Sequence, residues 1–240
     1  MATGSGLGPA RHAGEHGRGG GLNRERVRAA ALELVDREGL PALSMRRLGT
    51  ELGVEAMALY RYAASKEVLL EGLVEALYRE LEERLITAPG PGVTPGTPTW
   101  RAELQRIARA TYDMCLAHPH AAPLLATRVP AVPPTWQPTA VLRDHERVLR
   151  LLREAGLDDV RSAAAFQAFT AWLLGYVSVE LRPTVDNPDE PDPAFRLGLH
   201  RLSAQEMPTL RETATALAER GGPDGLALGL DALLDRFTRE

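Results

Sequence analysis

Cysteine occurs once in 240 residues, as Cys115, so no internal disulfide can form and the thiol usage fits a reducing compartment. Lysine also occurs once, as Lys66, and arginine supplies the rest of the 28 basic residues. Aromatic residues are sparse, at 5%. No run of roughly 18 apolar residues is found, so no membrane-spanning helix and no membrane partner are expected. The signatures of common chemistries are missing too: no His-Glu-x-x-His, no phosphate-cradling glycine loop and no cysteine pair. Asp144-His145-Glu146 are neighbours on one helix, where consecutive side chains point apart, so they make no catalytic triad. These gaps argue against an enzyme, and no cofactor and no bound metal are expected.

What is present is an ordinary globular composition, 44% hydrophobic and 25% charged. The net charge of −4 is unevenly spread. Residues 1–70 carry ten basic against eight acidic side chains, and the remainder carries eighteen against twenty-four. That asymmetry favours nucleic-acid contact by the N-terminal part alone. The first 21 residues hold eight glycines with scattered charges and no apolar stretch, which predicts a disordered tail rather than a signal peptide, and a cytoplasmic protein.

Helical signals fill the rest. Asn23 caps a helix in which Val27, Ala30, Ala31, Leu34 and Val35 recur at helical spacing until Gly39. Ser44 caps a second helix that buries Met45, Leu48 and Leu52, and Gly53 turns into a short third over Glu55–Tyr62. Ser65 caps a fourth, long helix to about Ile86 on the leucines 70, 73, 77, 81 and 85. Proline and glycine over 88–98 predict a linker. Further helices follow from Thr99 to Cys115, from Thr139 to Ala155, from Asp158 or Asp159 to Leu181, and from Pro223 onward, with a proline-rich passage at 130–138 and an acidic, proline-rich mobile loop at 183–193. The fold class is all-α: an N-terminal three-helix helix-turn-helix domain plus a larger helical domain.

Two short amphipathic helices around a glycine turn, opening a long third element, form a device for laying one helix in the DNA major groove. The chain resembles the TetR family of transcriptional regulators. The resemblance rests on Arg24-Glu-Arg-Val-x-Ala-Ala-Ala-Leu-Glu-Leu, Glu38-Gly-Leu, Leu43-Ser-Met-Arg-Arg-Leu, Leu52-Gly-Val, Ala58-Leu-Tyr-Arg-Tyr and Ser65-Lys. Beyond it, Trp100 opening a helix, Thr127-Arg128, Gly156-Leu and Leu174-Gly175 are similar to the tetracycline-repressor branch. The resemblance implies a homodimer that binds a palindromic double-stranded operator and releases it when a small molecule fills the C-terminal domain. It also implies the division 1–21 tail, 22–68 DNA-binding domain and 69–240 effector-binding and dimerisation domain.

Carried over residue by residue, Arg46 reaches a guanine edge, and Arg47 pairs with an acidic neighbour or meets a phosphate. Met57 and Ala58 face bases, and Tyr60, Arg61, Tyr62 and Lys66 meet the sugar-phosphate backbone, Tyr62 being equally suited to closing the small core. Ala56 stands where the tetracycline repressor has glutamine, so that repressor's operator is not expected to be read. The effector set comprises Trp100, Tyr112, Cys115, His118, Thr127, Arg128, Trp136, Gln167, Thr170, Trp172 and Tyr176, an apolar lining with a few polar handles. Leu124 stands where that branch has its magnesium-ligating histidine, which points to an apolar or antibiotic-like effector rather than a metal chelate. The helices over 160–181 and 225–239 are the expected dimer face, through Ala163, Ala164, Ala168, Ala171 and Gly175. The rival reading is a metal- or redox-responsive regulator working through Cys115 and His118.

Overall fold

The computed structural model describes residues 22–87, 99–129, 133–181, 205–213, 216–217 and 221–238. Every regular element among them is helical: α1 (Arg24–Glu38), α2 (Met45–Leu52), α3 (Ala56–Leu59), α4 (Lys66–Thr87), α5 (Thr99–Ala117), α6 (Pro123–Arg128), α7 (Thr139–Glu154), α8 (Asp159–Glu180), α9 (Pro208–Glu212) and α10 (Gly222–Thr238). The expected tail at 1–21, the linker at 88–98 and the loop at 183–193 lie outside the described residues.

The caps fall where the sequence places them. Asn23 Oδ1 accepts the Arg26 N–H at 2.8 Å, and Ser44 Oγ accepts the Arg47 N–H at 3.1 Å. Asp158 does the same for Arg161 at the start of α8. Gly53 ends α2 with a φ of 67°, a left-handed turn that costs any side chain strain. Gly49 is needed for a different reason. A Cβ there would sit 2.8 Å from the Val54 carbonyl oxygen, so only glycine lets the backbone of the turn close onto α2.

α4 is the axis of the molecule. At about 1.5 Å per residue its 22 residues span roughly 33 Å. Leu69, Leu70 and Leu73 join the core of α1–α3, while Leu77, Leu81 and Leu85 join that of the larger body, and the buried side chains form one continuous cluster. α4 packs on α1, α5, α6 and α7; α8 packs on α5, α6, α7 and α10. The expected boundary at residue 68 therefore falls inside the first turn of a shared helix.

Four differences from the sequence reading have physical causes. α3 is a single turn, because the N–H groups of Tyr62 and Ala63 both bond the Leu59 carbonyl and close the chain into a turn. α6 and α9 each begin with proline, which suits a first helical turn although it looks like a breaker in a sequence. α8 is, by length and composition, apolar enough to cross a membrane, which corrects the expectation that no such helix exists; its charges lie only at its ends.

Two glycine substitutions test this packing. Gly→Ala inside a helix normally stabilises by about 0.5–1 kcal/mol. At Gly72 the added Cβ meets only the flexible Arg28 side chain, so Gly72→Ala is expected to be neutral or stabilising in a thermal melt. Gly49→Ala is expected to cost about 1–3 kcal/mol, because backbone must move.

Candidate functional site

Two regions carry chemistry, one at the start of α4 and one in the larger helical body beside it. At the start of α4, Arg46, Tyr60, Arg61 and Lys66 are exposed, and Met57 is 75% exposed at the tip of α3. Ala58 is half-buried, and Leu59 beneath it is sealed in the core. Arg46, Met57, Tyr60, Arg61 and Lys66 thus remain available to an external polyanion. Arg47 takes the acidic alternative. Its guanidinium grips Glu38 at 2.5 Å and reaches Glu51 at 3.4 Å, a pairing that holds the Glu38 carboxyl below its usual pKa. This is the acidic pairing, the first of its two expected roles, and in it the charge braces α2 against the end of α1. Tyr62 is half-buried and packs against the small core, the second of its two expected roles.

In the larger body, α6, α7 and α8 border an open cavity of about 630 Å³, part of whose α8 lining, including Ala171 and Gly175, is exposed. Its walls are mostly apolar, from Ala126, Val129, Phe166, Ala171 and Leu174, with polar positions at Gln137, His145, Gln167, Thr170 and Ser178. A second, smaller space of about 30 Å³ adjoins it across His145, Phe166, Thr170 and Leu174 and is lined also by Tyr78, Thr111 and Asp144. Asp144 Oδ1 and His145 Nε2 are buried atoms with no hydrogen-bond partner among the described residues. Burial pushes the Asp144 carboxyl up to about 6 against the opposing pull of Arg147, and holds the His145 imidazole below its usual value.

Of the expected effector residues, Gln167 and Thr170 line this cavity. Arg128 and Trp136 line an adjoining crevice with Glu71 and Val74 of α4, Trp136 being 78% exposed. Thr127 caps its own helix by donating to the Pro123 carbonyl. The others are placed elsewhere, and each has a packing reason. Trp172 and Tyr176 fit against glycines of α10: a Cβ at Gly229 would lie 2.5 Å from the Trp172 ring, and the Tyr176 hydroxyl donates to the Gly222 carbonyl at 2.7 Å. Tyr112 donates to Glu180. Trp100 lies outside the cavity with the Arg101 guanidinium 5.2 Å from its ring centroid.

Cys115 is buried, and burial pushes its thiol up to about 12, leaving almost no thiolate to sense oxidants or bind metal. His118 is engaged: Nδ1 lies 2.7 Å from Asp36 of α1 and Nε2 lies 2.8 Å from Glu80 of α4. The buried thiol and the engaged imidazole lend no support to the metal- or redox-responsive reading. His145 and Asp144 are the residues that sequence reasoning missed. A signal existed: they interrupt the buried helical series Val141, Val148 and Leu152 of α7.

An exposed helix-turn-helix, joined by one helix to a cavity-bearing helical body, defines a ligand-sensing DNA-binding regulator. Residues 27–73 match the model of bacterial regulatory proteins, tetR family, and residues 92–237 match that of the tetracyclin repressor-like, C-terminal domain. The chain belongs to the TetR family of transcriptional regulators. It is 32% identical over 160 residues to the transcriptional repressor DrrR1 of Streptomyces coeruleorubidus, covering 67% of this chain and 54% of that one. A regulator from Saccharopolyspora erythraea is 33% identical over 159 residues, 66% of this chain and 61% of its own, so the chain spans little more than half the length of these two relatives. The class C tetracycline repressor of Escherichia coli is 29% identical over 218 residues, 88% and 90% of the two chains. Among solved structures, Streptomyces coelicolor ActR in complex with actinorhodin superposes with a TM-score of 0.69 at 26% identity, covering 90% of this chain and 95% of ActR.

The raised Asp144 pKa makes a stability prediction. A carboxyl whose folded pKa lies above its unfolded value near 3.9 stabilises the fold fully below that value, and the contribution is lost as pH rises through about 6. Asp144→Leu is therefore expected to raise the melting temperature more at pH 7 than at pH 4, by a difference of order 1–3 kcal/mol. A gap independent of pH would contradict the burial of this carboxylate.

Proposed function

We propose that this protein is a homodimeric repressor, released from a palindromic operator when a small, mostly apolar molecule fills the α6–α8 cavity. The observation that carries the reading is the position of α6. Ala126 and Val129, at its end, form part of the cavity wall, while Arg128 lines a crevice shared with Glu71 of α4, the helix that α6 packs on and that begins at the DNA-reading end. A molecule that displaces α6 therefore pushes on the lever that holds α3. As a population shift, the effector binds the conformation with the reading helices wrongly spaced better than the operator-competent one.

On this reading residues 22–68 form the DNA head and residues 69–240 the sensing and dimerising body, of a cytoplasmic protein. Arg46 meets a guanine edge through two hydrogen bonds, Met57 and Ala58 offer only apolar contact such as with thymine methyls, and Tyr60, Arg61 and Lys66 meet phosphates. Dimer symmetry requires half-sites about one helical turn, ~34–36 Å, apart or slightly more. The effector reading is supported by the apolar walls, and by the relatives whose names carry tetracycline or whose structure holds actinorhodin. Leu124 is buried hydrocarbon where a metal ligand would be needed, so the effector binds without magnesium.

The dimer face is supported by what α8 leaves uncovered. Val160 and Val179 are 80% and 61% exposed, and Ala163, Ala164, Ala171 and Gly175 between them are exposed as well. A face of small apolar residues suits close packing of two helices, and on α10 Leu228 extends it at 75% exposure. Partner helices rather than lipid cover this face, since α8 packs on α5, α6, α7 and α10 along its other sides.

Three outcomes are expected. In sedimentation the protein runs at twice its 26.1 kDa chain mass, and Ala164→Glu shifts it toward the monomer; a wild-type monomer at micromolar concentration would sink the proposal. In titrations of footprinted operator, Arg46→Ala costs about 1–3 kcal/mol and relaxes preference at one base pair. Lys66→Ala weakens all sequences alike and lowers the salt slope by about one, whereas an unchanged slope removes Lys66 from the phosphate contacts.

A further inference from the structure

The smaller space beside the cavity is lined by the two groups that the ligand-free protein leaves without a use. Asp144 Oδ1 and His145 Nε2 are buried polar atoms with no hydrogen-bond partner among the described residues. The surroundings are hydrocarbon, with Leu81, Ile107, Val148 and Phe169 among the walls of the smaller space. An unpaired polar atom in such a place costs more than an isosteric leucine would. Neither side chain is loose. The His145 ring is set edge-on between Tyr78 and Phe166, with centroids at 6.5 and 5.0 Å.

The chemistry of the pair and the size of the space select an occupant. The smaller space of about 30 Å³ has room for one water-sized group. Burial keeps the imidazole neutral, so one ring nitrogen carries a proton. A carboxylate that accepts and an imidazole N–H that donates are together matched by a hydroxyl, which does both. An ammonium group can only donate, so it suits the pair only with His145 Nε2 unprotonated, and it brings a full charge into a hydrocarbon wall, whereas a hydroxyl serves either tautomer. Arg147 already supplies positive potential at Asp144, so no cation is called for.

We propose that Asp144 and His145 form a two-point anchor for a ring-borne hydroxyl of an uncharged aromatic effector, whose ring system lies against Phe166, Leu174 and Val129 in the main cavity. The proposal rests on the reading of that cavity as the effector site. The hydroxyl donates to the Asp144 carboxylate and accepts from His145 Nε2. Effector recognition then has a discriminating element that apolar walls alone lack: an analogue without the hydroxyl leaves both groups as unpaired as in the free protein.

Fluorescence titration of the full-length protein with naphthalene, 2-naphthol and 2-naphthylmethylammonium tests both layers separately. The wild type is expected to bind 2-naphthol about tenfold more tightly than naphthalene, and the ammonium most weakly. Asp144→Leu and His145→Leu are each expected to cut the ratio of naphthol to naphthalene affinity to within about threefold, with a wild-type helical circular dichroism spectrum showing that each variant is folded; a ratio left at the wild-type value overturns the anchor. Asp144→Asn, which keeps an acceptor oxygen, retains part of the preference. Naphthalene binding with no naphthol preference in the wild type overturns the anchor and leaves the cavity reading standing. Tightest binding by the ammonium overturns the uncharged class. Binding by none of the three overturns the cavity reading and the anchor with it.

Discussion

Everything in this molecule depends on α4 being one unbroken helix whose buried leucines belong to two places at once. Leu69, Leu70 and Leu73 hold the reading head, and Leu77, Leu81 and Leu85 hold the sensing body. A break between the two sets would leave a small three-helix head with little core of its own. On the proposed reading, the continuity of α4 carries a shift of α6 to α3. The charged side chains reinforce this. Arg28 pairs with Glu75 at 2.6 Å, and His118 lies between Asp36 and Glu80, so α1, α4 and the end of α5 meet at one clasp. His118 stands beside the lever rather than in the pocket.

The division of labour between polar and apolar groups follows from this. At the DNA end Arg47 pairs with Glu38 and Glu51 and holds the head together, while Arg46 stays exposed on α2. On the proposed reading, with Met57 and Ala58 unable to donate, sequence preference rests on few direct hydrogen bonds, with apolar contact and DNA shape supplying the rest. At the sensing end the order is reversed: a mostly apolar cavity adjoins a small space that the polar pair Asp144 and His145 both line.

How legible all this was depended on the kind of signal. Caps and turns are local, so Asn23, Ser44, Gly53 and Asp158 announced their helices, and the leucine spacing of α4 announced its length. Pro123 and Pro208 misled because a proline's effect depends on whether a helix starts there or must continue through it. The exposed DNA face was legible because it lies in one contiguous stretch. The cavity was not, since its walls come from three helices and an aromatic residue gives no sign of what it packs against. Trp172 and Tyr176 looked like pocket residues until Gly225 and Gly229 of α10 supplied the space that they occupy. Asp144 and His145 were visible as polar residues in an apolar period and were passed over as neighbours on one helix. Their significance is that both are buried, which only tertiary packing decides.

The central claim, that occupancy of the cavity moves the two reading helices through α4, is open to one direct measurement. A spin label at residue 57 through Met57→Cys reports the separation of the two heads across the dimer, and the buried Cys115 thiol escapes labelling. The account predicts an inter-label distance that lengthens by several ångström when the cavity is filled, with 2-naphthol as the probe. A distance unchanged under saturating ligand would contradict it.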